Sequence, residues 1–381
     1  MIRKVYILQH RLLHYRTKLF QLLKEKLLAE NVELVLMHGH ASEREKIRKD
    51  EGSLPWAKTV VNSYMPAGSV ELCWQWLPSE IQNSDLIVLM QENRLISNYP
   101  YIFGKNSTGA RIAYWGHGRN LQSRNPDGLR EKWKKYLINK VDWWFAYTEL
   151  TKKYLIDMGY ENDRITNLNN AIDNNAFSLD LSSIRDSDIS AEKLNIGIED
   201  IENIGLYCGS LWEAKNLDLL LSSFTMIQAA VPDFVLLIVG DGPDRDKVRE
   251  LSCREKSVIW VGAKTGVDKA LYYRMSKVIL NPGAVGLHIL DSFVSGKPMV
   301  TTDNALHGPE IAYLKHAVNG YTTDSDPVAY AKAVIDLLLD ENSYRVMVEQ
   351  LKQDAKRYTL EKMVDNFSGG IMQCLNLPKN N

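Results

Sequence analysis

Three glycine-bearing turns stand where apolar runs give way to helical patterns: Gly209-Ser210-Leu211, Gly240-Asp241-Gly242-Pro243 and Gly283-Ala284-Val285-Gly286. Glycine lets a backbone come close to a ligand, and the first amides of a helix present N–H groups and positive dipole to an anion. Such turns are suited to phosphate. Lys215 lies just ahead of the helical pattern 216–230, where its ammonium could reach the same anion. The 281–303 run NPGAVGLHILDSFVSGKPMVTTD carries the most information. A helix is expected to start at Gly286, its first turn offering the amides of Leu287 and His288 to a phosphate. Asp291, one turn on, could accept hydrogen bonds from ribose hydroxyls; otherwise it is a solvated residue on a capped core helix. In the first half, Trp115-Gly116-His117-Gly118 closes a predicted strand. A lone histidine is more often structural, but flanking glycines leave little side chain to bury His117. His14-Tyr15-Arg16 opens the first helix, with Arg16 either an anion ligand or a solvent-exposed helix start.

The elements that position these residues follow from periodicity. Short apolar runs alternate with helical patterns, as in parallel α/β architecture. Strands are predicted at 5–9, 32–37, 85–90, 111–115, 142–147 and 164–168, with a helix over 17–30 on which Leu19, Leu23 and Leu27 recur. The polar stretch 178–194, with eight Ser or Asp residues, reads as a linker. The rhythm then restarts: strands at 203–208, 234–239, 257–261, 277–280 and 298–302, helices at 216–230 and 286–294, and a mostly helical tail over 327–374. A chain of 381 residues exceeds one usual core. The reading is therefore two Rossmann-like, doubly wound domains, 1–180 and 195–360, with 361–381 a final helix packing back on the first. Ligands of such sheets bind beyond the strand C-termini, so a cleft between two facing domains is the expected site.

Composition narrows the classes. Hydrophobic residues at 45% and charged residues at 24% describe a globular chain, and no apolar run is long enough to span a membrane. Four separated cysteines lack metal-ligand spacing, which fits a reducing, cytoplasmic setting. Residues 1–160 hold 24 Lys and Arg against 16 Asp and Glu, while the remainder holds 22 against 31. A basic first half could face phosphate, polyanion or an anionic membrane. Gly128–Lys140 is a basic amphipathic pattern, with Leu129, Trp133, Tyr136 and Leu137 on one face and Arg130, Lys132, Lys134 and Lys135 around it. It could lie at the inner face of a cell membrane or pack on the core with a solvated basic face. Three Asp-x-Asp triplets (186–188, 244–246, 324–326) are common by chance, and no metal is assigned to them.

The second half resembles the retaining glycosyltransferases of family 4, of GT-B fold and the bacterial polysaccharide-type subgroup. The segments YCGSLWEAKNLDLLLSSF, LLIVGDGPDRDKV, VIWVGAKTGVDKALYYRMSKVILNPG, the 281–303 run and HGPEIAYLKHAVNGY match in order and spacing over about 200–360; the first half matches more loosely. The resemblance implies a donor site made of Gly209, Ser210, Lys215, Gly240, Asp241, Gly242, Ala263, Gly283, Gly286, Leu287, His288, Asp291 and Glu310. It implies a catalytic-site His117, acceptor contacts at His14, Tyr15 and Arg16, and a nucleotide sugar as co-substrate without cofactor or metal. The chain departs from the pattern twice. Ser210 stands where the family has an arginine, and Gly283 where it has a sugar-binding glutamate. The implied activity is transfer of a hexosyl group, with uridine expected over guanosine, to a glycan or lipid-linked acceptor of bacterial surface polysaccharide; nucleic acid is not an expected partner. A non-catalytic sugar-nucleotide-binding protein and a GT-B epimerase are the alternatives.

Overall fold

The computed structural model describes residues 2–47, 49–68, 70–104, 109–121, 125 and 127–378. It divides into two compact units, one of Met1–Asp173 with Thr359–Asn381, the other Asn174–Tyr358.

The first unit is built on strands β1 (Arg3–Gln9), β2 (Val32–His38), β3 (Lys58–Thr59), a hairpin of β4 (Val61–Ala67) and β5 (Val70–Trp76), and then β6 (Leu86–Met90), β7 (Arg111–Gly116), β8 (Trp143–Ala146) and β9 (Ile165–Asn167). Seven of these form one parallel sheet in the order β3-β2-β1-β6-β7-β8-β9, while β4 and β5 pair only with each other, antiparallel. Central strands are buried along nearly their whole length, Val5 to Leu8 and Leu86 to Leu89 among them, because a parallel sheet is covered on both faces. The helix Thr17–Ala29 turns Leu19, Phe20, Leu23 and Leu27 to the sheet at helical spacing. Beside it lies the last helix, Leu360–Leu375. Phe367 of that helix packs on Phe145 and Trp115 with ring centroids 4.6 and 5.1 Å apart. A Cβ at Gly370 would stand 2.2 Å from the Thr166 hydroxyl, so the close approach of helix and sheet requires glycine there.

The second unit holds β10 (Ile204–Cys208), β11 (Val235–Val239), β12 (Val258–Gly262), β13 (Val278–Leu280), β14 (Met299–Thr302) and β15 (Gly320–Thr323). All are parallel, in the order β12-β11-β10-β13-β14-β15. Strand order reverses between β10 and β13, as it does between β1 and β6 in the first unit. At such a switch point the loops after the two strands diverge to opposite faces, leaving a crevice at the C-terminal edge.

Three expectations need correction. The stretch read as a linker, 178–194, is helical and belongs to the second unit, within Asn174–Ser183 and Asp186–Asn195. Its serines bond back onto preceding carbonyls, as Ser190 does to Asp186, and the first helix is anchored by the buried Leu181 and, just before the stretch, Phe177, which lies edge-on against Tyr273 at 5.1 Å. The helix expected from Gly286 starts at Ile289. The hairpin β4–β5, the two-residue β3 and the edge strand β15 were not expected at all; β3 and β15 are too short to show a period, and β5 alternates Val70, Leu72, Trp74 and Trp76 yet buries the opposite face, Cys73 and Gln75.

Candidate functional site

At the switch point of the second unit the turns after β10 and β13 are joined. The Ala284 amide donates to the Ala214 carbonyl at 3.0 Å, and Lys215 Nζ donates to the Ala284 carbonyl at 2.5 Å. Gly283 makes this possible. A Cβ there would lie 2.4 Å from the Ala214 carbonyl oxygen and from Cα and C of Lys215. The position that the resemblance gives to a glutamate is thus filled by the backbone of the lysine-bearing turn. Burial pushes the Lys215 ammonium down to about 8, with Cys208 pulling the other way.

The turn after β11 backs this arrangement. Gly240 has φ 153°, and a Cβ would stand 1.8 Å from the Gly209 carbonyl oxygen; one at Gly242 would stand 2.2 Å from that of Leu211. The Leu211 amide donates to the Asp241 carbonyl, and the Asp241 carboxylate accepts the Gly242 amide at 2.7 Å. These glycines therefore hold one turn against another, and Asp241 is turned onto its own loop. Ser210 is exposed, its carbonyl taken by the Tyr207 hydroxyl, and Ala263 is exposed just past β12.

After β13 the backbone is spent step by step. The Val285 amide donates to His307 Nδ1 at 3.0 Å and the Gly286 amide to His288 Nδ1 at 3.4 Å. Among the described residues the amides of Leu287 and His288 donate to nothing. Burial, with Lys215, Lys269 and His307 nearby, holds His288 well below the ordinary imidazole range, so the ring is neutral; its Nε2 is buried without a partner. His307 is fixed as the Nε2–H tautomer, since Nε2 meets the Thr302 carbonyl at 2.7 Å while Nδ1 accepts from Val285. Asp291 is 8% exposed and accepts from Lys269 Nζ at 2.9 Å, the ammonium lying 4.3 Å over the Phe177 ring. Burial raises the Asp291 carboxyl and Lys269 opposes it. Glu310 is buried in the 3-10 turn Pro309–Tyr313, folded back on Gly308, whose amide donates to Val285.

Lys215, Lys269, the two open amides and the neutral His288 thus share one electropositive edge. Lys269 and His307 escaped the sequence reading. Lys269 is one lysine on an amphipathic helix, 22 residues from its carboxylate, and His307 follows an irregular loop.

In the first unit, Gln91 clamps the loop after β7: its amide oxygen accepts the Gly118 N–H and its amide nitrogen donates to the Gly118 carbonyl, both at 2.8 Å. That presents His117 against the Tyr147 ring, centroids 4.2 Å apart. Burial pushes His117 down to about 4, helped by Lys134 and Arg16 and opposed by Glu92, so it is neutral at physiological pH. Arg16 is neither a surface cation nor a solvent-exposed helix start. It is 4% exposed, donates to Asn170 Oδ1 at 2.7 Å, and lies between the rings of Tyr15, Trp115 and Tyr147. Tyr15 is partly buried, and the exposed His14 is bound to the Asp50 carbonyl. At the β1/β6 switch point lies a charge network absent from the sequence reading. Arg94 donates to Glu92 and Glu45 at 2.8 Å each and to His10 Nε2 at 2.9 Å, and Arg11 pairs with Asp50. Its members come from three segments, those after β1, β2 and β6, a grouping that no local spacing announces. The basic helix spans Leu129–Leu137. Of its apolar face only Leu137 is buried, while Leu129 (84%), Trp133 and Tyr136 are exposed, so it is not a core-packed helix.

Part of the second unit is similar to a known family. Residues 202–340 match the family described as glycosyl transferases group 1. The GtfA subunit of a UDP-N-acetylglucosamine–peptide N-acetylglucosaminyltransferase from Streptococcus agalactiae is 21% identical over 78% of this chain and 58% of its own length. Alpha-monoglucosyldiacylglycerol synthase from Acholeplasma laidlawii is 24% identical over 31% of each chain. The chain thus spans about half or less of the curated relatives it matches. Among solved structures, Anabaena Alr3699/HepE in complex with UDP superposes with a TM-score of 0.67 at 14% identity, covering 97% of this chain and 99% of that one. The fold is the GT-B fold.

Proposed function

We propose that this chain, whose second unit is a group 1 glycosyl transferase domain on the GT-B fold, moves a hexosyl group with retention from a UDP-sugar to a hydroxyl of a glycan or lipid-linked acceptor. One observation carries the reading: Lys215 and the open amides of Leu287 and His288 converge at the β10/β13 switch point beside a neutral His288. In this reading the diphosphate enters there, displacing Lys215 from the Ala284 carbonyl. The cation and amides are fixed before charge develops on the leaving phosphate, so the stabilisation needs no reorganisation at the moment of reaction. That charge balance calls for no metal. Asp291, held by Lys269, takes the ribose hydroxyls.

The position of Gly283 is filled by backbone, so the sugar subsite must draw a carboxylate from elsewhere, and Glu310, folded back beside Gly286, is assigned that role. His117, neutral and held against the Tyr147 ring, orients the donor sugar. With front-side attack the leaving phosphate accepts the acceptor's proton, and no protein nucleophile is assigned. Among the described residues no helix is long and apolar enough to cross a membrane. Contact with the inner membrane surface is assigned to helix Leu129–Leu137. The structure of HepE with UDP favours uridine. UDP, GDP and UMP tested for their effect on thermal unfolding decide the donor: UDP should raise the midpoint most, and equal responses to UDP and GDP would sink the uridine assignment.

A further inference from the structure

A cavity of about 490 Å³ opens in the first unit between the hairpin β4–β5, the segment after β6 and helix Leu129–Leu137. Its volume is that of a ligand site. Ala67, Val70 and Leu72 form one wall, and Leu129 and Trp133 the other.

Gln91, Glu92, Asn93, Tyr99 and Glu131, which line it, are committed to one another or to neighbouring groups, while the exposed Arg130 adds a cation suited to an anionic head. Gln91 spends its amide on Gly118, Glu92 is bonded to Arg94, and Asn93 donates to the Arg130 carbonyl. The Tyr99 hydroxyl accepts from Trp133 and donates to Asn93, and Glu131 accepts the Asn120 amide with Lys134 at 3.8 Å. A sugar needs free donors and acceptors, and stripping its hydroxyls of water without replacement is costly. A hydrocarbon chain needs none.

The mouth carries exposed aromatic surface. Trp133 stacks on Tyr136 with centroids 5.4 Å apart and borders the exposed Phe103. Around it the segment Gly128–Lys140 holds five cations and one carboxylate. Exposed aromatics ringed by lysines match the chemistry of an anionic bilayer surface.

We propose that this cavity receives the hydrocarbon chain of an anionic-headed lipid acceptor, with helix Leu129–Leu137 lying on the bilayer that carries it. The acceptor role rests on the glycosyl-transfer reading; occupancy of the cavity does not.

The test needs no turnover. Hexyl, octyl and decyl phosphate are titrated calorimetrically into the full chain below their micellar concentrations, with UDP titrated in parallel. Each buried methylene is worth about fourfold in affinity, so decyl should bind at least about tenfold tighter than hexyl even in an open cavity. Ala67→Trp, at an exposed position, and Leu72→Glu should flatten that dependence and leave UDP binding unchanged. Affinity that ignores chain length, or a dependence that survives both variants, overturns the cavity. Loss of UDP binding by the wild type with chain dependence intact overturns the acceptor role instead. Vesicles of phosphatidylglycerol and phosphatidylcholine should carry the protein several-fold better than pure phosphatidylcholine, and Lys132→Glu with Lys135→Glu should abolish the difference. Equal binding to both compositions overturns the bilayer contact.

Discussion

Gly283→Ala is the smallest perturbation that addresses why this chain lacks a carboxylate at that place. One methyl is added 2.4 Å from three backbone atoms of Ala214 and Lys215, none of them the end of a flexible side chain. The turn after β10 must move outward, and with it the 3.0 Å bond from Ala284 to Ala214 and the seat of Lys215 on the Ala284 carbonyl. Overpacking of this kind costs about 1–3 kcal/mol. The second unit has well over a hundred residues, for which each kcal/mol shifts the midpoint by roughly 2–4 °C, so a fall of about 2–12 °C is expected. Displacing Lys215 also weakens the charge-assisted bond to a diphosphate, by roughly 10-fold or more in UDP affinity. Thermal unfolding followed by a probe in the second unit reads the first effect, and calorimetric titration of UDP reads the second. Gly283→Glu should be worse on both counts, although the family resemblance places a glutamate there. Unchanged midpoint and affinity in Gly283→Ala would refute the argument that backbone occupies the missing side chain's place.

If Lys215 grips the diphosphate as proposed, UDP binding is proton-linked. The lysine's depressed value, about 8, leaves it mostly neutral at pH 8.5, and a diphosphate favours the charged form. UDP binding at that pH should take up about 0.7 proton, seen by calorimetry in buffers of different ionisation enthalpy, and Lys215→Ala should remove the uptake and weaken UDP roughly 10- to 150-fold. Lys269→Met leaves Asp291 buried without its cation and should cost about 3 kcal/mol, at the low end for a broken buried pair because Lys269 is one-quarter exposed; adding Asp291→Asn should recover most of it in denaturant melts. His117, depressed to about 4, binds fewer protons folded than unfolded between pH 4 and 6.5. Stability from this group is therefore present above pH 6.5 and lost as pH falls toward 4, and His117→Asn should shrink that slope in urea titrations across the range.

The alternation of apolar runs and helical patterns announced the central strands, because each is buried on both faces and reads as an uninterrupted run, as Leu86–Met90 does. What lay at the margins was hidden. The hairpin β4–β5 mixes polar and apolar residues on a half-exposed surface, and the helices within 174–195 have so little apolar content that their serines and aspartates resembled a linker. At the candidate site, Lys215 and the Leu287–His288 amides were legible since a glycine turn before a helix has a local signature. The Lys269–Asp291 pair and the His10–Glu45–Arg94 network were not, because they are made by the crossover of distant loops. Gly283 was legible only as a departure; the reason for it, a backbone standing where a side chain would go, exists solely in three dimensions.

The account stands most directly on donor turnover. UDP release from a panel of UDP-hexoses and UDP-N-acetylhexosamines is to be followed with decyl-linked glycosides as acceptors, in the wild type and in His117→Ala. At least one UDP-sugar should be consumed with UDP released, GDP-sugars should be inert, and the His117 variant should be slower by about a hundredfold or more while binding UDP normally. A wild-type protein that binds UDP yet releases none from any donor would contradict the account, and the chain would then be a sugar-nucleotide-binding protein without transferase activity.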